Sequence, residues 1–431
     1  MKIIAKLYSS VEVGQIIVDT VHDIAGKMAA DGVSTPEKKS LVMREWAEDL
    51  LPQVEDVVVE EVVRRQVQGI TLSIWIGPPG SGKGTNIETV ELLGKLYAEV
   101  VSQGGARLLD EPFHSLLLQF SVDRAAINTG TKGMFNRPDG EYVPLFSDLV
   151  PIIGKHVADG GFVPDDLVSV LVELMLLYRL TQNAHRIQID LWPRTGPQFA
   201  MFSRLGQKIK QKSGKLTNEV VIIKVLDAAS LQEVRTKPLE FAVESRNIAQ
   251  SIKKEVESMW YVEAFEKGAT IQDPQERFAI ENTGLAKLFT VLEQKHTSDV
   301  CGIVLEELRT VCNRMAFRFN LIVRDNQIPR PDEYPLSIIR RLAVYTGETS
   351  PAFLEAVADS AGNSGYYVVS SAGTPEEVIN DLLDTLAGVA SANERWSKVK
   401  EFAGEIAVTL VHRKELIVGE LLQRLGGIIN S

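Results

Sequence analysis

The chain has 431 residues, of which 45% are hydrophobic and 24% are charged, enough for one large domain or roughly two to three ordinary ones. Its net charge of −11 argues against a broad nucleic-acid-binding surface, and no uncharged apolar run is long enough to span a bilayer. Cys301 and Cys312 have no Cys or His partner at metal-site spacing, so neither a disulfide framework nor a zinc site is expected. The charged N-terminus does not resemble a secretory signal. We therefore predict a cytoplasmic protein without nucleic-acid or membrane partners.

Residues 1–69 are predicted to form a helical N-terminal extension. Apolar residues recur at helical spacing from Val13 to Ile24, and Ser34-Thr35-Pro36-Glu37 is typical of a helix start. Pro52 predicts a break, after which residues Val54 to Val67 form a third helix or, given their β-branched side chains, none. The segment carries no chemical motif, which favours an appendage that packs on the core or on a partner.

A glycine-rich loop is the strongest motif in the chain. It follows an apolar run typical of a strand, Ile70–Ile76, and precedes a helix-like run, Asn86–Val101. The loop reads Gly77-Pro78-Pro79-Gly80-Ser81-Gly82-Lys83-Gly84-Thr85. Strand, loop and helix together are the setting of a phosphate-binding loop, whose backbone N–H groups surround phosphate oxygens while the lysine reaches the outer phosphates. The alternative is a glycine-rich turn with a solvated lysine.

The loop departs from the general motif in one respect, because Gly84 follows Lys83 and the hydroxyl comes one position later, at Thr85. With this order it resembles the phosphate-binding loop of adenylate kinases and related nucleoside monophosphate kinases. The resemblance implies an α/β fold: a P-loop kinase core with a parallel sheet flanked by helices, at residues 70–235 and 330–387. It also implies that ATP and Mg²⁺ are bound, with Gly77 to Thr85 contacting the nucleotide and Lys83 catalytic.

Three further stretches resemble the family's monophosphate site, the first two within about residues 128–168. Asn128-Thr129-Gly130 is similar to a Ser-Thr-Gly signature, and Gly160 to Val168 is similar to Gly-x-x-Val-x-Asp-x-x-Val. Asp190 to Gln198 resembles Asp-Gly-Phe-Pro-Arg-Thr-x-x-Gln, with Leu191 and Trp192 in place of Gly and Phe. The resemblance implies that the monophosphate contacts Thr129, Gly130, Val163, Arg194 and Gln198.

Asp190 and Arg194 also have a physical interpretation. Asp190 ends an apolar strand, which places it at the carboxyl end of the sheet, where it can hold a Mg²⁺-bound water. Arg194 offers a two-point contact to a monophosphate or to the transferring phosphoryl group, and we predict it to be catalytic. The alternative for Asp190 is a helix cap after the strand.

Residues 236–329 lie where the family inserts its lid, and they predict a longer, helical insertion without the four-cysteine zinc pattern of some lids. Arg235 matches the arginine that packs on the adenine of ATP, with an ordinary helix-face arginine as the alternative. Leu239 stands where the family has its next arginine. The sequence leaves four replacements open: Arg246, Arg314, Arg318 and Arg324.

The resemblance resumes at Arg330-Pro331-Asp332-Glu333 and continues through Arg340-Arg341. It implies that Arg330 and Arg341 are catalytic and reach the phosphates from the lid, where charge spreads over the transferring group. A solvated basic pair is the alternative for Arg340 and Arg341. Thr374, in the turn after a predicted last strand, is expected beside the adenine. Residues 388–431 are predicted to form a helical C-terminal extension.

These motifs predict a nucleoside monophosphate kinase, a phosphotransferase that moves the γ-phosphoryl group of ATP to a nucleoside monophosphate, with AMP as the first candidate. One alternative is a P-loop kinase for another small acceptor. Another is a catalytically weak nucleotide-binding regulator or scaffold. The helical extensions are candidates for protein partners or self-association, and the sequence leaves the monophosphate preference and oligomeric state open.

Overall fold

The computed structural model describes residues 36–64, 70–103, 109–110, 113–121, 127–128, 164–181, 186–190, 192–213, 216–258, 271–329, 333–359, 366–388, 394–412 and 417–430. These residues fall into two compact units, one from the ranges before residue 76 and between 122 and 220, the other from the remaining ranges. None of the described helices combines the length and apolar character needed to cross a membrane.

The elements are numbered in chain order. The helices are α1 (Pro36–Arg64), α2 (Lys83–Ser102), α3 (Phe113–Ser121), α4 (Asp165–Thr181), α5 (Gly196–Ser213), α6 (Ala228–Thr236), α7 (Pro238–Val256), α8 (Pro274–Lys295), α9 (Asp299–Arg324), α10 (Pro335–Val344), α11 (Ser350–Asp359), α12 (Pro375–Ala387), α13 (Glu394–Val411) and α14 (Val418–Asn430). A π-helical turn, Tyr345–Thr349, joins α10 to α11. The strands are β1 (Ile70–Ile76), β2 (Ile127–Asn128), β3 (Arg186–Asp190), β4 (Leu216–Lys224) and β5 (Tyr366–Ser370).

The sheet has the strand order β2-β3-β1-β4-β5. Strand β3 pairs in parallel with both β1 and β2, and its last residue, Asp190, lies opposite Trp75 of β1 and Asn128 of β2. Parallel strands of this kind need helical crossovers, which the chain supplies. The predicted α/β class is thereby confirmed in its coarse form: helices predominate around a small parallel sheet.

Helix α1 runs without interruption through Pro52, so the predicted break at this residue is wrong. A proline inside a helix costs about 3 kcal/mol because it removes one hydrogen bond and crowds the preceding turn. Val54, Val58 and Val62, one turn apart, are buried, and α1 packs along α4 and α5. Burying one such side chain contributes about 1.5–3 kcal/mol, so this apolar face offsets the cost of the proline.

A buried carboxylate pair lies where α1, α4 and α5 pack together. Glu55 on α1 accepts hydrogen bonds from Arg204 Nε at 2.9 Å and from Lys208 Nζ at 2.7 Å. Glu173 on α4 is fully buried, and neither of its carboxylate oxygens has a hydrogen-bond partner among the described residues. Burial, with repulsion from Glu55, raises the pKa of Glu173 well above its ordinary range.

We expect Glu173→Met to stabilise the protein at alkaline pH by about 1–3 kcal/mol, because it removes a buried polar group without partners. The folded state holds the Glu173 proton more tightly than the unfolded state, whose pKa is about 4.3. Stability should therefore fall as pH rises from that value through the raised pKa of the folded state. Urea unfolding at about pH 5 and about pH 8 should show the larger gain at the higher pH. Glu55→Gln, the control, should destabilise, and a gain from Glu173→Met that does not grow with pH would contradict this account.

Helices α7, α8 and α9 occupy the described part of the predicted insertion and share one apolar core with α10. Members of that core include Ile248, Leu288, Leu308 and Ile339. The helix starts follow the sequence closely: Asp273 caps α8 ahead of Pro274, and Ser298 caps α9 by accepting the N–H of Cys301. The described part of residues 236–329 is therefore helical, and its apolar core continues into the residues that flank it on both sides.

A buried ion pair attaches α9 to the carboxyl end of β4. Lys224 Nζ lies 3.2 Å from Glu307 Oε2 and 2.7 Å from Ser350 Oγ, and Glu307 Oε1 accepts the N–H of Val225 at 3.1 Å. Buried ion pairs contribute little net stability, but one with its hydrogen bonds satisfied holds two elements in a fixed register. Two turns further along α9 come Arg314 and Met315, whose positions depend on this attachment.

Candidate nucleotide-binding site

The glycine-rich loop joins β1 to α2, in the order that the sequence predicts. Gly80 and Gly82 have φ angles of +72° and +80°, a conformation that favours glycine. Lys83 Nζ donates to the carbonyl oxygens of Gly77 at 2.6 Å and of Pro78 at 3.1 Å. The ammonium group is therefore held against the backbone of its own loop, so a bound anion would meet a positive charge already in place.

Helix α2 begins at Lys83 without a side-chain cap. The N-cap residue, Gly82, makes no side-chain cap hydrogen bond, and the first turn has no acidic residue. The first N–H groups of a helix lack intrahelical partners and carry the positive end of the helix dipole. An uncapped helix start beside a lysine is suited to phosphate oxygens.

Strand register brings the predicted magnesium ligand level with the end of β1. Asp190 lies opposite Trp75, two residues before Gly77, so β3 ends beside the strand that leads into the loop. Five predicted site features lie outside the described residues or side chains: Thr129, Gly130, Val163, Arg330 and the carboxylate of Asp190. Their roles remain predictions.

Gln198 connects the loop around Arg194 to the start of α4. Its Oε1 accepts the Arg194 N–H at 2.8 Å, and its Nε2 donates to Asp165 Oδ1 at 2.7 Å. Gln198 is buried, whereas the Arg194 side chain is exposed. The predicted contact of Gln198 with a base edge would require its amide to exchange one of these two partners.

Trp192 stands where the family has an aromatic residue, and the structure shows what it contributes. It is buried, it packs edge-on against Phe202 at 5.8 Å, and its Nε1 donates to Ser169 Oγ at 3.3 Å. The loop that carries Arg194 is thus attached to both α4 and α5 from inside its own unit.

Arg235 and the turn after β5 line one cavity of about 420 Å³, within the range of small-molecule sites. Three acidic residues, Asp227, Glu377 and Asp381, are among those that line it. Carboxylates repel phosphate but accept hydrogen bonds from amino groups, so this lining favours a nucleobase over a phosphate. Arg235 donates to the carbonyl oxygen of Val368 and can present its guanidinium plane to a ring.

Thr374, predicted to lie beside the adenine, caps α12 instead of lining the cavity. Its hydroxyl accepts the Glu377 N–H at 3.3 Å, and Glu377 Oε2 accepts the Thr374 N–H at 2.8 Å, a capping box. Ala372 and Gly373 of the same turn do line the cavity. Thr374 therefore orders the turn, and its neighbours form the wall.

Successive residues of α9 contact the glycine-rich loop and the cavity turn. A Cβ atom added to Gly80 would lie 3.0 Å from Met315 Sδ, which shows how closely Met315 approaches the loop. Arg314 donates to the carbonyl oxygen of Ser371, and its Nη1 lies 3.5 Å from the Ser371 hydroxyl. Because Ser370 and Ala372 line the cavity, α9 contacts both the glycine-rich loop and the turn that forms one wall of the cavity.

The structure also separates the four arginines that the sequence leaves open. Three of them already have a carboxylate partner: Arg246 with Glu355, Arg318 with Glu333, and Arg324 with Asp325. The described partners of half-buried Arg314 are the neutral groups of Ser371. Burial lowers the pKa of Arg314, because it disfavours the charged guanidinium and no anion among the described residues offsets this cost. Of the four, Arg314 is therefore the best placed to donate hydrogen bonds to a phosphate.

Arg341 lies in the last turn of α10 and is exposed, as is Arg340 beside it. No motif singles out Met315, or Arg314 among the four candidate arginines; the one signal is their position one to two turns beyond Glu307 and Val311 on one helix face.

No protein-family model matches the chain, and no curated protein matches it.

Proposed function

We propose that the protein is a nucleotide kinase that transfers the γ-phosphoryl group of ATP to a nucleoside monophosphate, with AMP as the first candidate acceptor. The observation that carries the proposal is the loop Gly77–Thr85, where Lys83 is held over the loop backbone beside the uncapped start of α2. A strand, a glycine-rich turn and a helix start in this arrangement bind phosphate.

The acidic cavity supports the choice of a nucleotide over a simple phosphate ester. In this proposal the adenine of ATP occupies the cavity against Arg235, and its amino group faces the carboxylates. The phosphates lie at the glycine-rich loop. Met315 and Arg314 support this arrangement, because they contact the loop and the cavity turn from adjacent positions of α9.

A carboxylate is a suitable ligand for Mg²⁺, and we assign one to this ion. When bound, Mg²⁺ would neutralise charge on the β- and γ-phosphates. The assigned residue is Asp190, acting through water, and its position opposite Trp75 at the end of β3 supports this choice. Thr85 carries the only hydroxyl that follows Lys83 within the loop motif.

Transfer needs no protein nucleophile, because an oxygen of the acceptor phosphate attacks the γ-phosphorus directly and ADP leaves. The protein holds the two phosphates in line and supplies positive charge where the equatorial oxygens become more negative. We assign that charge to Lys83, Arg194, Arg330 and Arg341, with Arg314 as an addition from the helical insertion.

A nucleotide-binding regulator without efficient turnover is the second candidate. It is favoured by one observation: both polar ends of the Gln198 amide already have intramolecular partners. Such a protein would bind ATP at the loop and cavity but would not use the monophosphate site.

Calorimetric titration with ATP and with inorganic triphosphate, each in the presence of Mg²⁺, tests whether the loop binds the phosphates and the cavity binds the base. Arg235→Ala should weaken ATP binding about three- to thirtyfold, because it removes a cation from the base cavity, and should leave binding of inorganic triphosphate unchanged. Lys83→Ala should weaken binding of both. Equal ATP affinity in wild type and Arg235→Ala, with both proteins folded, would contradict the assignment of the cavity.

A further inference from the structure

Three side chains of metal-binding type meet where the turn between α8 and α9 contacts α7. Glu244 lies on α7, His296 directly follows α8, and Cys301 lies in the first turn of α9. One ligand atom from each, a carboxylate oxygen, an imidazole nitrogen and a sulfur, lies within 4.8 Å of the other two. Cys301 Sγ is 3.2 Å from Glu244 Oε2. We call these three residues the clasp cluster.

Hydrogen bonds outside the clasp cluster position two of its members, His296 and Cys301. The Cys301 N–H donates to Ser298 Oγ at 3.2 Å, and the His296 N–H donates to the carbonyl oxygen of Leu292 at 2.9 Å. Ser251 Oγ lies 2.8 Å from His296 Nε2. A metal-binding imidazole normally has such an outer partner, which sets the orientation of its ring.

The chemistry of the donors selects the metal. A thiolate and an imidazole suit Zn²⁺, whereas Mg²⁺ and Ca²⁺ prefer sites made of oxygen alone. In a tetrahedral zinc site the ligand atoms are about 3.3–3.8 Å apart. In the clasp cluster the Cys301 Sγ–Glu244 Oε2 distance of 3.2 Å is close to that range, and all three ligand atoms lie within 4.8 Å of one another.

We propose that Glu244, His296 and Cys301 bind Zn²⁺, with water as the fourth ligand, and that the ion fastens α7 to the turn between α8 and α9. Binding replaces the S–H bond of Cys301 with an S–Zn bond, and the thiol proton passes to solvent. The proposal does not depend on the nucleotide site. It differs from the sequence-based expectation of no zinc site: His296 lies five residues before Cys301, and the third ligand, Glu244, comes from another helix.

Titration of the purified, metal-stripped protein with Co²⁺ tests this site, because thiolate coordination gives a near-ultraviolet charge-transfer band. Wild-type protein should show the band at one equivalent, and Zn²⁺ should displace the Co²⁺. His296→Gln should lower Co²⁺ affinity at least about 100-fold, and Cys301→Ser should abolish the band. Zn²⁺ should raise the melting temperature of the wild type and not that of Cys301→Ser.

Cys312→Ser is the matched control, since Cys312 lies on the same helix and burial raises its pKa to about 12. It should keep the band and the Zn²⁺ affinity of the wild type. No band in the wild type, or a band that persists in Cys301→Ser, would overturn the proposal. If Cys301→Ser fails to fold, His296→Gln tests the site instead, because His296 is half-exposed. Unchanged Co²⁺ affinity in folded His296→Gln would also overturn the proposal.

Discussion

Lys83→Ala is expected to reduce phosphoryl transfer by at least about 10²–10³-fold while the protein remains folded. The Lys83 ammonium is the charge held against the loop by the carbonyl oxygens of Gly77 and Pro78. Without it, the outer phosphates lose a donor that is in place before the substrate binds. The fold should survive, because the side chain is half-exposed and its hydrogen bonds to Gly77, Pro78 and Ser81 lie within its own loop.

Lys95→Ala is the matched control for this experiment. Lys95 lies on the same helix and is exposed, so its loss changes the net charge equally without touching the loop. Steady-state rates of ADP formation should be near the wild-type value in this control. Near-wild-type turnover in Lys83→Ala would show that the glycine-rich loop is not the site of transfer.

Arg314→Ala is expected to lower kcat by about 10²–10³-fold, the usual cost of one preorganised charged donor. The residue is half-buried, its described partners are neutral, and its neighbour Met315 contacts Gly80. Arg314→Lys should recover only part of the rate, because an ammonium cannot make a planar two-point contact. The KM for ATP should change much less than kcat if Arg314 acts mainly on the transferring group.

A purely structural role for Arg314 makes a different prediction. If the residue only supports the turn at Ser371, its loss should lower the melting temperature and raise the KM for ATP through the cavity, with kcat preserved. Arg309→Ala provides the control, because Arg309 is on the same helix and pairs with Glu293 at the surface. Unchanged kcat in Arg314→Ala would remove Arg314 from the proposed site.

Local patterns were enough to predict the elements around the glycine-rich loop. An apolar run, a loop whose glycines allow positive φ, and an amphipathic run identify β1, the loop and α2, and the structure has them in that order. Thr374 was also recognisable as a turn residue, although its hydroxyl caps α12. These features depend on neighbours in the chain, which is why the sequence reveals them.

Features that depend on distant contacts could not be predicted in this way. Pro52 was expected to end a helix, and only the packing of α1 on α4 and α5 explains why it does not. Arg314 is preferred over the three other arginines because each of those already has a carboxylate partner, which only the folded structure shows. Gln198 matches a motif, but its partner Asp165 lies on another helix.

The most direct test of the proposed kinase activity is transfer of radiolabelled phosphate from the γ position of ATP to a nucleoside monophosphate. Wild-type protein, ATP and Mg²⁺ would be incubated separately with AMP, CMP, UMP and GMP, and the labelled nucleoside diphosphate would be quantified, with Lys83→Ala as the control. We expect label in the diphosphate of at least one acceptor, AMP first, and a loss of that signal in Lys83→Ala. ATP binding without label in any acceptor would contradict the kinase assignment and favour the nucleotide-binding regulator.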